Sequence, residues 1–97
     1  MKKIFPLQVA NKHPDRVIEG IKNEVRKYLK RERSKKLPED AKFWDFTCSF
    51  GASEQDAKAV SAAEIITSLD GAREQNLTAC YIEIIAKPSF KKVEAEI

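Results

Sequence analysis

Eight basic side chains crowd one short stretch, Lys22, Arg26, Lys27, Lys30, Arg31, Arg33, Lys35 and Lys36, in the run KNEVRKYLKRERSKK. Only Glu24 and Glu32 oppose them there. The chemistry open to such a row is neutralisation of phosphates. Ammonium point charges and guanidinium forks would follow a nucleic-acid backbone rather than read its bases. The commoner meaning of a charge run is a solvated helix face that keeps a small protein in solution. Sparse glutamate argues for contact, because ion pairs four residues apart normally balance a purely structural surface. RNA, or a ribonucleoprotein, is therefore the expected partner, and another polyanion such as an acidic protein is not separable from it on sequence.

Other chemistries find little to stand on. A catalytic reading needs a nucleophile, base or metal constellation, and the single histidine, His13, precedes Pro14 at a helix start, where it reads as a surface turn residue. Asp45 and Glu83 are candidates to face each other across strands, yet two exposed carboxylates alone do no work. Gly51-Ala52-Ser53 is a weak anion site, with Glu54 and Asp56 beside it to repel phosphate. Cys48 and Cys80 have no metal-type spacing and sit in apolar strand patterns, so they read as reduced core thiols. The expectation is a binding protein, not an enzyme, with no metal and no cofactor.

These residues must be positioned by helices and strands, and the patterning supplies both. From Pro14, a favoured first helical residue, Val17, Ile18, Ile21, Val25, Tyr28 and Leu29 fall within an arc of about 120° at 100° per residue. Lys22, Arg26, Lys30, Arg33, Arg16, Lys27 and Arg31 are assigned to the other half, and Lys35, Lys36 and Pro38 close the helix. Tyr28, on the apolar arc, reads as core rather than as a stacking platform. Ser61-Ala-Ala-Glu64 matches a capping box and predicts a second helix over 62–76.

Period-two alternation marks three strands: 2–10, with Phe5, Leu7 and Val9 on one side; 42–50; and 78–87. Residues 57–60 add a short candidate, in competition with a continuous helix from Ser53. Strand, helix, strand, short strand, helix, strand predicts an α+β two-layer sandwich of ferredoxin-like βαββαβ order. Without the short strand, the alternative is a three-stranded sheet with two helices on one face.

One sheet face is then left open. Its outward set (Ile4, Gln8, Asp45, Thr47, Ser49, Tyr81 and Glu83) is mildly acidic and lacks the aromatic signature with which RNA-recognition domains stack bases. Phe43, Tyr81 and Ile85 among small polar residues suit a partner surface instead. That is the rival reading: a protein-interaction or homodimerisation module joined through the sheet face or an edge strand.

Ninety-seven residues make a single domain, 1–97, with 89–97 a frayed tail or weak edge strand. The net charge of +3 hides an asymmetry. Residues 1–36 carry 12 Lys/Arg against 4 Asp/Glu, and residues 37–97 carry 6 against 11. A polyanion would meet one end of the chain. No segment approaches the roughly 18–20 apolar residues of a membrane span, and the polar, Pro-interrupted start lacks the core of a signal peptide, so a cytosolic protein is expected.

The motifs MKKIFPLQ, HPDRV, KYLKRER, LPE, FWDF with FGAS, AEI and YIEIIAKP together resemble a family of short uncharacterised bacterial proteins that carry only a domain-of-unknown-function label. The resemblance covers nearly the whole chain. It implies a bacterial, cytosolic protein and brings no activity, ligand or site residue with it.

Overall fold

The computed structural model describes residues 1–90. The elements are β1 (Lys2–Pro6), α1 (Pro14–Arg33), β2 (Phe43–Gly51), β3 (Lys58–Val60), α2 (Ala62–Glu74) and β4 (Ala79–Ser89). All strand pairs are antiparallel, in the order β1-β4-β2-β3. The long strands β4 and β2 hold the centre. β4 therefore lies between the parallel strands β1 and β2, and β2 lies between β3 and β4, giving two interleaved split βαβ units. This α+β, βαββαβ arrangement is compatible with a ferredoxin-like fold. The short strand at Lys58–Val60 sets the three-stranded alternative aside. The expected tail at 89–97 lies mostly outside the described residues.

Both helices cover one face. Cys48, Cys80, Ile82 and Ile84 from the central strands, with Phe5 from β1, pack beneath Ile18, Ile21, Val25 and Leu29 of α1 and Ile65, Leu69 and Ala72 of α2. Val25, Ile65, Leu69, Ile82 and Ile84 are fully enclosed, each stabilising the fold by about 1.5–3 kcal/mol relative to exposure.

Local chemistry explains the boundaries. His13 caps α1, its Nδ1 accepting from the Asp15 N–H at 3.1 Å, and Pro14 needs no partner in the first turn. The helix stops at Arg33, short of the expected Lys36. Past Leu29 the apolar arc has no further aliphatic member within the helix, and Ser34 turns its hydroxyl onto the Lys30 carbonyl at 2.9 Å. The Lys35 carbonyl instead accepts from the Trp44 indole N–H at 2.9 Å.

The capping box at Ser61 forms in full: Ser61 Oγ accepts from the Glu64 N–H at 3.1 Å, and Glu64 accepts from the Ser61 N–H at 2.7 Å. At the other end Asn76 takes a left-handed φ of 55°. Its N–H bonds to the Arg73 carbonyl, and that of Leu77 bonds to Ala72, each at 3.1 Å. This Schellman closure ends α2 at Glu74, two residues before the expected 76. β1 is likewise shorter than 2–10. Val9 starts a turn, its carbonyl accepting from the Lys12 N–H at 3.2 Å, and it is exposed rather than inward.

Candidate nucleic-acid interface

The exposed side of α1 carries most of the expected cations. Arg26, Lys27, Lys30, Arg31 and Arg33 are exposed along it, and Lys35 and Lys36 are exposed just beyond. Lys35 is held by Glu32, at 2.9 Å. Arg26 reaches Asn23, at 3.4 Å. Arg31 lies over the Tyr28 ring and Arg33 over the Phe46 ring, at 5.4 and 5.3 Å from the centroids. These contacts steady the guanidinium groups without neutralising them. Among the described residues no carboxylate comes within 4.0 Å of Arg26, Lys27, Lys30, Arg31, Arg33 or Lys36.

The N-terminal half of the helix is different. Glu24 binds Lys3 at 2.9 Å, Asp15 binds Arg73 at 2.8 Å, and Glu19 lies 3.6 Å from Lys22. Among the described residues, cations without a carboxylate partner also include Arg16 at the start of α1, but they are densest along the last turns of α1 and the residues after it. A helix C-terminus favours some of this charge through its dipole. One or two cations would satisfy that preference.

Lys22 does not belong to the basic face. Its side chain is 9% exposed, and Nζ sits 2.6 Å from Asp70 Oδ1 on α2. On the helical wheel it falls only about 20° beyond Leu29, at the rim of the apolar arc. That rim is where α2 docks. The Asp70 hydrogen bond, with Coulombic help from Asp70 and Glu19, holds the ammonium above the ordinary lysine range despite the opposing effect of burial. Lys22 is a clamp between helices, not a phosphate contact.

The expected partner surface of Phe43, Tyr81 and Ile85 is not continuous. Tyr81 is 4% exposed. It stands opposite Gly51, over which the following loop returns so closely that a Cβ there would meet Ala57 N and Cα at 2.6 Å. The Tyr81 hydroxyl donates to Glu83 Oε1 at 2.7 Å. That bond, with desolvation and the carboxylates of Glu83 and Glu54 nearby, pushes its pKa up to about 12. Ile85 is half-buried. It is four residues along β4 from Ser89, the partner of Phe43, so about 14 Å separates the two rungs. The Asp45–Lys87 rung lies between them.

The remaining candidates separate. Asp45 opposes Lys87 while Glu83 opposes Ser49, so the two carboxylates do not face each other. Cys48 and Cys80 are buried and unbonded. Burial raises both thiols, Cys80 to about 11, which leaves no thiolate for chemistry at neutral pH. Among the described residues no three potential ligands gather to hold a metal ion, and no helix is long and apolar enough to cross a membrane.

One group went unread in the sequence. Arg33, Leu37, Lys42, Phe43 and Trp44 line an open recess of about 360 Å³ beside the C-terminal end of α1. Trp44 shares the core-facing side of β2 with Cys48, yet it lines this recess. Its signal was the basic run ending a few residues before Lys42-Phe43-Trp44, with Pro38 turning the chain back.

Fold and surface define a small α+β domain whose distinguishing feature is one cation-rich helix end. The chain belongs to a family of unknown function, DUF6172, whose model matches residues 1–95. No curated protein and no solved structure gave a match.

Proposed function

We propose that this protein binds RNA, free or within a ribonucleoprotein, in the cytosol and without catalysis of its own. The contact surface is the exposed face formed by Arg26, Lys27, Lys30, Arg31 and Arg33, continued by Lys35 and Lys36. The observation that carries this reading is the density of exposed cations there, of which all but Lys35 have no carboxylate partner among the described residues. Unpaired cations on a rigid helix release counterions when they meet phosphates, which favours binding without sequence preference. Changing Arg26, Lys30 and Arg33 together to Glu should abolish retardation of mixed cellular RNA at low salt and leave the urea midpoint nearly unchanged. Unaltered retardation by the triple variant would overturn the assignment of the surface.

Self-association through the outer sheet face draws on exposed Ile4 (62%) and Phe43 (36%). It loses Tyr81 to the loop above Gly51, and charged rungs interrupt the rest. Light scattering at high concentration decides it: a monomeric mass removes it, and a dimer that Phe43→Lys dissolves restores it.

A further inference from the structure

The recess at the end of the basic face has a composition that phosphate binding alone does not call for. Arg33 and Lys42 flank it, Phe43 and Trp44 line it, and Leu37 closes one side. Among the described residues lining it there is no carboxylate. Trp44 is half-buried, and its indole N–H is already committed to the Lys35 carbonyl at 2.9 Å. The ring is thereby fixed in place with its only polar group satisfied, so what it offers a ligand is aromatic surface. Phe43 is 36% exposed.

The site stays open for a topological reason. β3 pairs with β2 only from Cys48 to Phe50, so among the described residues no strand pairs with the Phe43 end of β2 on that side. About 360 Å³ is at the small end of the roughly 300–1,000 Å³ range of ligand pockets. That suits a single unstacked base, not a duplex.

We infer that this recess is a base-stacking subsite for single-stranded nucleic acid: one base rests on the exposed Phe43 ring at the mouth of the recess, which Trp44 lines from the other side of β2, while Arg33 and Lys42 take the flanking phosphates. The inference rests on the proposed RNA-binding role and adds a preference that the helix face alone cannot supply, for single strands carrying bases. Stacking platforms of this kind tolerate any sequence because every base has a π-face.

Trp44 is the only tryptophan, so its fluorescence reports on this site. The full chain is titrated with oligouridylate, with an abasic ribose-phosphate strand of equal length, with inorganic polyphosphate and with polyglutamate. Oligouridylate should quench Trp44 and bind most tightly. Phe43→Ala should weaken that binding roughly 5- to 150-fold without changing polyphosphate binding, and Phe43→Tyr should restore it. An unchanged urea midpoint confirms that Phe43→Ala folds. Equal binding of the base-bearing and abasic strands, unaffected by Phe43→Ala, overturns the subsite and leaves the helix face standing. Polyglutamate binding as tight as oligouridylate overturns the nucleic-acid occupant in favour of an acidic protein. Binding of none of the four overturns the subsite and the parent reading together.

Discussion

Replacing Lys22 by Met keeps the aliphatic stem against α2 and removes only the charge. Asp70, whose side chain is 59% exposed, then returns to water at little cost. Replacing Asp70 by Asn is harsher, because an ammonium only 9% exposed is left with Glu19 at 3.6 Å as its remaining counterion. Exposed pairs contribute about 0.2–1 kcal/mol, and breaking a fully buried one costs about 3–5 kcal/mol. One buried and one exposed partner place Lys22→Met at about 1 kcal/mol and Asp70→Asn at about 1–2 kcal/mol. For a domain of this size each kcal/mol lowers Tm by about 4–8 °C.

Urea unfolding followed by Trp44 fluorescence measures both variants and their double-mutant cycle. The pH dependence has a definite sign. The folded pKa of Lys22 is raised, so the contact contributes fully below the unfolded lysine value and is lost as pH rises through the folded one. The gap between wild type and Lys22→Met should hold through neutral pH and close only above about pH 10. RNA affinity of the Met variant should fall no more than loss of one distant charge requires. A Lys22→Met variant of native stability with sharply weakened RNA binding would refute the placement of Lys22 between the helices.

Three further outcomes follow from the packing. Gly51→Ala should destabilise by about 1–3 kcal/mol, since its Cβ would meet the backbone of Ala57 at 2.6 Å and of Asp56 at 2.8 Å; an unchanged urea midpoint would show that the loop moves freely. Ser61→Ala removes one half of the capping box and should cost about 1 kcal/mol, with Ser61→Asp recovering most of it in the same assay. Ultraviolet titration should find Tyr81 ionising near pH 12, and Glu83→Gln should bring it down by removing the acceptor and the repelling carboxylate; a value that stays put would locate the cause elsewhere.

Helix and strand order was legible because the patterns agreed with local chemistry. Pro14 after His13, Ser61 before Glu64, and the alternation from Phe43 to Phe50 each point to one outcome, and each forms. What stayed hidden depends on partners distant in sequence. Lys22 looks like any other cation until α2 brings Asp70 beneath it. Tyr81 alternates outward as expected, and only the return of the chain over Gly51 covers it. Trp44 belongs to the core face of β2 by its alternation. Its position at the end of the strand, beyond the reach of β3 and bonded to Lys35 just past α1, is what leaves it lining a recess. Helix ends shifted by a few residues because Ser34 and Asn76 close them through side-chain and left-handed backbone geometry that periodicity does not register.

The salt dependence of RNA affinity tests the proposed role most directly. Each phosphate neutralised contributes about −0.7 on single strands to about −0.9 on duplex to the slope of log affinity against log salt. The six cations of this surface that have no carboxylate partner among the described residues therefore allow a slope as steep as about −4 to −5, and the Arg26, Lys30 and Arg33 charge reversals should remove at least about 2 of it. A steep slope that collapses in the triple variant is the predicted result. Binding insensitive to salt, or no retardation of mixed cellular RNA even at low salt, would contradict it.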